Sequence, residues 1–294
     1  MLEILFSLNG RIVPEAHAVV SVRDRGFLYG DALFETIHAY GPTPFRLKDH
    51  LARMTRGFRF LAFRPAPAPR VLSRWVHSAI QAADFTEANV RLTVTRGRGP
   101  RGPALPVPCE PLVVIMVTKH QRRPEREYRR GVAAVIASFR RQESGVLARL
   151  KTTNYLEQIL ARREADAAGV DEALLLNSAG LLCEGSASNL TLVKAGRLVA
   201  PDPELAGALP GTAQLLVLQL GRKLKLETSL TALGPWDLRE CEEAFLTGSM
   251  REITPLVRVD GVAIGSGKPG PVTRRLLVAY RQQVARECPG YRST

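Results

Sequence analysis

The sequence has few of the features that define membrane and secreted proteins. Its longest apolar stretch near a plausible strand runs only from Leu112 to Val117, whereas a helix that crosses a bilayer needs about 20 apolar residues. Residues 1–8 contain no basic region and no small-residue cleavage site, so we expect no secretory signal. A membrane protein and a secreted protein are therefore not expected.

Cysteine is scarce and dispersed. Cys109, Cys183, Cys241 and Cys288 form no Cys-x-x-Cys pair and no cluster with histidine. We therefore expect no redox motif and no metal site. Reduced thiols are typical of a reducing compartment, so the predicted localisation is cytoplasmic.

Acidic residues are fewer than basic residues, and the formal net charge of the 294 residues is +13. Such a charge attracts anions, including nucleic acids, phosphates and carboxylate substrates. The densest basic runs, at 96–102 and 121–130, contain one aromatic residue, Tyr128, rather than the interleaved aromatic residues that would stack on bases. A solvated arginine-rich surface is the simpler interpretation, and a nucleic-acid-binding protein is the alternative from another class.

Nucleotide-binding signatures are absent as well. There is no Walker A motif and no internal repeat. Residues 97–102 spell G-x-G-x-x-G, but Pro100 interrupts them and they do not lie between a strand and a helix. A dinucleotide-binding fold is therefore not expected, because this motif requires a strand before it and a helix after it.

What the sequence does contain is a mixture of strand and helix patterns. The length suggests about two domains, and the order of the elements lacks strict βαβ alternation, which predicts two α+β domains. The polar stretch 120–128 is the expected linker between domains at 1–119 and 129–294. Asn9-Gly10 predicts a hairpin, Ser73 is a possible helix cap, and 180–183 with 189–194 look hairpin-like. Strands are predicted over 2–8, 11–13, 34–40, 90–95, 112–118, 132–139, 172–176, 180–183, 189–194 and 244–247, and helices over 47–61, 71–83, 154–168, 212–220 and 272–286.

Lys151 is the best candidate for a nucleophilic amine among only seven lysines. It precedes Thr152-Thr153-Asn154, which can cap a helix that begins near Tyr155. A positive helix end or a nearby cation would lower the pKa of the amine and favour its neutral form. From the spacing alone, an exposed lysine without a role is the alternative.

An acid and two small-residue segments are candidates for binding an anionic, nitrogen-containing ligand. Glu184 follows an apolar strand and precedes small residues, so it can point into a cavity and hold a proton on a partner nitrogen. Its alternative is an acid in a turn. Residues 209–212 and 247–249 resemble anion-binding loops, because small residues let backbone N–H groups approach an oxyanion.

Together and in this order, these segments resemble the fold-type IV, or class IV, aminotransferases that use pyridoxal 5'-phosphate (PLP). This family includes branched-chain aminotransferases, D-amino acid aminotransferases and aminodeoxychorismate lyases. The resemblance implies an α+β fold with a smaller N-terminal α/β domain and a larger C-terminal domain whose mixed sheet is barrel-like. It also implies a homodimer. The matching segments are 24–35, 45–54, 151–156, 184–190, 209–211, 247–255 and 270–273.

The resemblance also implies roles for individual residues. Lys151 would form the Schiff base with PLP and move the proton between the substrate and cofactor carbons, while Glu184 would pair with the pyridine nitrogen. The protein would supply position and charge, and the cofactor the electron sink. The other cofactor residues would be Arg53 on the phosphate, Tyr155 on the phenolic oxygen, and Gly211, Thr212, Gly248 and Ser249 in the phosphate cup. One departure is Ala213, which stands where the family usually has a hydroxyl.

Substrate residues implied by the resemblance do not complete one subfamily pattern. Arg101 aligns with a carboxylate-binding arginine of D-specific enzymes, but Pro103 replaces the histidine that follows it there. Arg91 aligns with an arginine of branched-chain enzymes; Phe34 and Met250 would also line the substrate site. The expected activity is transfer of an amino group between an amino acid and a 2-oxo acid, and the alternative is a lyase that makes 4-aminobenzoate and pyruvate.

Overall fold

The computed structural model describes residues 4–141 and 146–291, which fall into two compact units. The first unit lies within Met1–Gln121, Leu150–Asn154 and Val284–Thr294, and the second within Arg122–Arg149 and Tyr155–Gln283. The short segment that contains Lys151 therefore groups with the first unit, although about 30 residues of the second separate it from the rest of that unit in sequence.

The first unit is a sheet covered by helices. In chain order its elements are β1 (Ile4–Leu8), β2 (Arg11–Val13), α1 (Arg25–Tyr29), β3 (Ala32–Tyr40), β4 (Thr43–Pro44), α2 (Leu47–Phe60), α3 (Pro69–Ala83), β5 (Glu87–Thr95) and β6 (Leu112–Lys119). Among the described residues six strands pair in the order β2-β1-β6-β5-β3-β4, and each pair is antiparallel.

Alternation along these strands separates two faces of the sheet, because successive side chains point to opposite sides. On β5, residues 88, 90, 92 and 94 are fully buried in the core that α2 and α3 complete. Residues 87, 89, 91 and 93 lie on the other face and are only partly buried. Cross-strand partners share a face, so Phe34 (opposite Thr93) and His38 (opposite Asn89) also belong to this second face.

The second unit is built on a mixed sheet that curls as a half-barrel. Nine strands pair within the described residues, in the order β12-β11-β10-β13-β14-β7-β8-β9 with β15 beside β14. Parallel pairs join β14 to β7 and β7 to β8. Its elements are α4 (Glu125–Arg130), β7 (Val132–Arg141), α5 (Leu156–Ala167), β8 (Glu172–Asn177), β9 (Leu182–Gly185), β10 (Asn189–Lys194), β11 (Arg197–Pro201), α6 (Pro203–Ala206), α7 (Thr212–Lys223), β12 (Thr228–Thr231), α8 (Pro235–Glu240), β13 (Glu243–Gly248), β14 (Glu252–Val259), β15 (Val262–Ala263) and α9 (Pro271–Glu287).

The predicted hairpin at Asn9-Gly10 is confirmed, but two local predictions are wrong. Asn9 and Gly10 have φ values of 48° and 82°, and Leu8 pairs with Arg11 across the turn. Residues 2 and 3 of the predicted first strand lie outside the described residues. Ser73 is not a cap, because α3 begins four residues earlier at Pro69, where proline suits the first turn. The hairpin partner of β9 is β8 rather than β10.

Candidate functional site

The segment around Lys151 lies along β3. The backbone N–H of Phe34 donates to the carbonyl of Lys151 (2.9 Å), and Thr152 forms an isolated bridge with Leu33. The N–H of Thr153 donates to the carbonyl of Ala32 (3.2 Å). These backbone contacts fix the position of Lys151 relative to the strand that carries Phe34.

The predicted capping role of residues 152–154 is wrong. Tyr155 occupies the N-cap position of α5, and no side chain of the described residues caps the helix. The side chains of Thr153 and Asn154 instead donate to the carbonyl of Gly30, at 3.2 and 3.1 Å. Because Gly30 has the left-handed φ of 66° that ends α1, a sharp turn presents its carbonyl to both donors. Tertiary contacts thus outcompete the local cap.

Three of the predicted site residues lie close together, namely Lys151, Phe34 and Arg91. The Nζ of Lys151 lies 4.6 Å from the centroid of the Phe34 ring, and the Cζ of Arg91 lies 3.9 Å from the same centroid. Phe34 itself is buried, whereas Lys151 and Arg91 are half-buried. An amine and a guanidinium therefore share one aromatic ring, a geometry that cation–π attraction supports.

Arg53 is buried on α2 and forms a two-point ion pair with Glu35 on β3. Its Nε lies 2.8 Å from Oε1 and its Nη2 lies 2.6 Å from Oε2 of Glu35, and the Nδ1 of His50 lies 2.7 Å from the same Oε2. Burial raises the pKa of the Glu35 carboxyl, but Arg53 and His50 outweigh it and lower that pKa from 4.5 to about 2. Glu35 therefore fixes the orientation of Arg53.

This ion pair predicts a loss of stability in acid. The carboxyl of Glu35 titrates near 4.5 when unfolded and near 2 when folded, so its contribution to the free energy of unfolding is complete above pH 4.5 and is lost as the pH falls towards 2. A shift of this size corresponds to about 3 kcal/mol. In denaturant titrations, the stability gap between the wild type and Glu35→Gln should narrow over this interval. A gap that stays constant contradicts the prediction, and exposed Glu15→Gln is the control.

In the second unit, Glu184 lies near the end of β9 and is held by three donors. Arg141 donates to its Oε1, while the side-chain amide of Asn189 (3.2 Å) and the backbone N–H of Leu209 (3.0 Å) donate to its Oε2. Burial lowers the pKa of the Arg141 guanidinium, but the carboxylates of Glu184 and Glu157 raise it above its ordinary value. Glu184 is thus a buried carboxylate in a charge-assisted network.

Asn189 connects Glu184 to the start of α7. Its side-chain amide also donates to the carbonyl of Leu209 at 2.8 Å. Gly211 is the N-cap of α7 and Thr212 its first residue. A Cβ atom on Gly211 would lie 1.8 Å from the side-chain oxygen of Asn189, so only glycine allows this approach. Glu184, Gly211 and Thr212 therefore lie in one neighbourhood.

Replacing Gly211 with alanine should therefore displace Asn189 and loosen Glu184. Because buried polar groups would lose partners, we expect the free energy of unfolding to fall by about 1–3 kcal/mol, with weaker retention of any ligand at α7. The matched control is Gly234→Ala, another N-cap glycine, where an added Cβ would have no atom of the described neighbours within 4 Å. Thermal unfolding of both variants is the measurement, and equal stabilities would refute the packing argument.

The turn that contains Gly248, Ser249 and Met250 joins β13 to β14. Asn189 pairs with Thr247 across the strands β10 and β13, and a Cβ atom on Gly248 would lie 3.6 Å from the carbonyl oxygen of Ala187. The turn therefore adjoins the segment that precedes β10. The two predicted phosphate loops, 209–212 and 247–249, thus approach the same short stretch, residues 187–189.

Two further predicted site residues are Arg101 and Tyr155. Arg101 is exposed in the loop between β5 and β6, where Arg25 donates to the carbonyls of Pro100 and Gly102 (3.0 and 3.1 Å). Tyr155 is half-buried at the start of α5. Lys151 belongs to the first unit and Glu184 to the second, so the pairing of these two residues around one ligand stays a prediction.

Sequence reasoning missed Arg141 and Asn189. The predicted strand ended at 139, whereas β7 continues to Arg141. Arg141 could have been identified as an arginine at the end of an apolar strand. A charge buried there requires a partner, and a buried acid elsewhere in the chain can supply it. Asn189 lies within the segment 184–190 that resembles the family, but its close approach to Gly211 is evident only in the tertiary structure.

Two features bear on the class of protein. All four cysteines are free and buried. Among the described residues, no helix is both long and apolar enough to cross a membrane.

Comparison with known proteins gives a family match over most of the chain. The family model described as Amino-transferase class IV matches residues 32–259. A Methanocaldococcus jannaschii protein, provisionally named a branched-chain-amino-acid aminotransferase, is 34% identical over 93% of this chain and 94% of its own length. The D-alanine aminotransferase of Bacillus licheniformis is 28% identical over 97% of this chain and 98% of its own length.

Solved structures agree with this match. A T.th. branched-chain amino acid aminotransferase, solved with pyridoxamine 5'-phosphate, is 29% identical, with a TM-score of 0.89 over 98% of this chain and 96% of that one. The 4-amino-4-deoxychorismate lyase of Pseudomonas aeruginosa is 33% identical, with a TM-score of 0.85 over 96% of this chain and 98% of that one. The fold, the ordered motifs and the family model agree, and the chain belongs to the class IV aminotransferase family, for which PLP is the implied cofactor.

Proposed function

We propose that the chain transfers an amino group between an aliphatic amino acid, of the branched-chain or D-amino acid type, and a 2-oxo acid, with PLP attached at Lys151. The observation that carries this proposal is the arrangement of Lys151 and Arg91 on the ring of Phe34, at 4.6 and 3.9 Å from its centroid. An amine supplies the nucleophile and proton carrier, and a guanidinium suits the carboxylate of an amino acid.

The donor set of the second unit fits PLP. The N–H groups at the start of α7 offer donors for a phosphate dianion, and the hydroxyl of Ser249 would add another. Glu184, which accepts a hydrogen bond from Arg141, offers an acceptor for a protonated ring nitrogen. These are two different needs of one molecule, and the residues that would meet them lie near 187–189.

When bound, PLP withdraws electrons from the bonds at the α-carbon of the amino acid. The amine of Lys151 would take the proton from this carbon and return it. The backbone contacts with β3 would position the amine for this short transfer. Glu184 would hold the proton on the ring nitrogen, and Arg53, oriented by Glu35, would bind the phosphate with Gly211, Thr212, Gly248 and Ser249. Tyr155 would donate to the phenolic oxygen.

The substrate would contact the face of the first sheet that carries Phe34. We propose that Arg91 binds the α-carboxylate and that the buried Phe34 ring packs against an aliphatic side chain. Arg101 and Met250 remain proposed contacts with the side chain of the amino acid or with a second carboxylate of the 2-oxo acid. An aromatic wall beside one cation favours an amino acid whose only charges are at the α-carbon.

The proposal includes a homodimer in a reducing compartment such as the cytoplasm. Support for a dimer comes from large apolar side chains that are exposed close together in sequence, with Val19, Val22 and Phe27 exposed by 69, 71 and 69%. Exposed apolar surface of this kind is typical of protein interfaces. The four buried free thiols support the compartment.

The test is chemical trapping followed by a substrate panel. Borohydride reduction of the PLP-loaded protein and peptide mapping should find the cofactor mass at residue 151. L- and D-aliphatic amino acids, each with 2-oxoglutarate, should then give the corresponding 2-oxo acids. Production of 4-aminobenzoate from aminodeoxychorismate, without any amino-group transfer, would instead establish the lyase alternative that the Pseudomonas aeruginosa neighbour represents. A cofactor fixed at another lysine would refute the proposal.

A further inference from the structure

Two histidines and a glutamate meet at one end of the first sheet, on neighbouring strands. His38 lies on β3, Glu87 is the first residue of β5, and His120 directly follows β6. The N–H of His120 donates to the carbonyl of Glu87 at 2.9 Å, which places these two residues side by side. One potential ligand atom from each of the three side chains lies within 4.8 Å of the other two.

Neither ring nitrogen of His38 has a hydrogen-bond partner among the described residues, although the side chain is only 5% exposed. A buried polar atom without a partner is unfavourable, so such an atom points to a missing ligand. The ring is fixed in place by stacking on Tyr40 (centroids 3.9 Å apart) and by the tilted ring of His120 (4.1 Å). The imidazole therefore cannot turn towards solvent to gain a hydrogen-bond partner from water.

The geometry of the His38–Glu87 pair fits a shared ion better than a direct hydrogen bond. The Nε2 of His38 lies 3.3 Å from Oε2 of Glu87, yet the pair does not have hydrogen-bond geometry. Two ligands at about 2.1 Å from a tetrahedral zinc ion are about 3.4 Å apart, and the ion lies off the line that joins them. A hydrogen bond, in contrast, needs the donor to point along that line.

His120 carries the outer contact that metal-binding histidines usually have. Its Nδ1 lies 2.7 Å from the side-chain oxygen of Asn89, which would fix the orientation of the ring. Asn89 pairs with His38 across β3 and β5. The strand that supplies the orienting group therefore also supplies the carboxylate ligand.

We propose that His38, Glu87 and His120 bind a divalent transition-metal ion, with zinc as the best fit. Two imidazoles and one carboxylate form a ligand set that zinc accepts with a water in the fourth position. The sequence prediction of no metal site considered cysteine and histidine only as close neighbours, whereas these ligands are 49 and 33 residues apart along the chain. The proposal does not depend on the proposed function.

The test measures zinc binding to the PLP-loaded full chain, without a histidine tag, after chelator treatment and without amino acids present. Isothermal titration with Zn²⁺ should give one site per chain, and Co²⁺ should give the visible absorption of a tetrahedral site. Glu87→Gln and His120→Gln should each weaken Zn²⁺ binding at least about tenfold. His17→Gln, which removes an exposed histidine elsewhere, should leave the affinity unchanged.

Two results would overturn the proposal. One is the absence of stoichiometric Zn²⁺ binding to the wild type, and the other is equal affinity in the wild type and both ligand variants. If Glu87→Gln fails to fold by circular dichroism, His120→Gln alone decides, and Asn89→Ala provides a further variant whose effect should be smaller than that of a lost ligand. Trapping of PLP at Lys151 has no bearing on this outcome, so the two proposals fail separately.

Discussion

Replacing Lys151 with alanine is expected to lower the rate of amino-group transfer at least about a thousandfold. The side chain would supply both the covalent attachment for PLP and the proton carrier at the α-carbon, so its removal affects every turnover. The backbone contacts of residue 151 with Phe34 do not involve the side chain. The variant should therefore fold normally, as judged by thermal unfolding, while the visible absorbance of the bound cofactor changes.

The matched control is Lys48→Ala, which removes an exposed lysine of α2 in the same unit. It should retain the wild-type kcat and cofactor spectrum. Full activity in Lys151→Ala would contradict the proposed role of the amine. A loss of activity equal in both variants would show that the effect comes from charge or stability rather than from chemistry at residue 151.

Replacing Glu184 with glutamine should reduce kcat by roughly 100-fold. An ionised carboxylate holds a proton on a ring nitrogen through a charge-assisted hydrogen bond, which is worth up to about 3 kcal/mol, and each 1.36 kcal/mol corresponds to a tenfold change in rate. A neutral amide cannot supply this charge. KM for the amino acid should change much less, because the interaction acts on the reacting cofactor rather than on substrate binding.

Glu157→Gln separates this effect from a general loss of stability. Glu157 is the other carboxylate on Arg141 (2.7 Å from its Nε) and is one-third exposed, so its replacement also disturbs the arginine. We expect Glu157→Gln to lower stability slightly and to keep kcat within about threefold of the wild type, as for exposed ion pairs. Equal losses of kcat in both variants would contradict a direct role for Glu184.

Local patterns were sufficient for most elements of the fold. The Asn-Gly hairpin, the spacing of leucines in α2 and the β-branched runs of β5 and β6 each specify a local conformation through backbone and side-chain preferences. The pairing of the strands with one another could not be predicted from local patterns. β9 pairs with β8 instead of β10, because pairing depends on which strands the whole sheet brings together.

The candidate site shows the same division between local and tertiary information. Lys151, Glu184 and Gly211 were identified from ordered motifs, whereas the contacts that orient them come from residues distant in sequence. Arg141 reaches Glu184 across 43 residues and Asn189 meets Gly211 across 22. The failure of the cap at 152–154 has a similar cause, since Gly30 accepts the hydrogen bonds that the two capping side chains would have made with the helix.

The sequence by itself determined the family, the cofactor class that the family implies and the candidate nucleophile, because these depend on residue types in a fixed order. Only the tertiary structure decided which groups act together. It placed Lys151 with Phe34 and Arg91, paired Arg53 with Glu35, and joined His38 to Glu87 and His120. Such contacts link strands that are far apart along the chain, and their geometry follows from sheet pairing and core packing rather than from any local pattern.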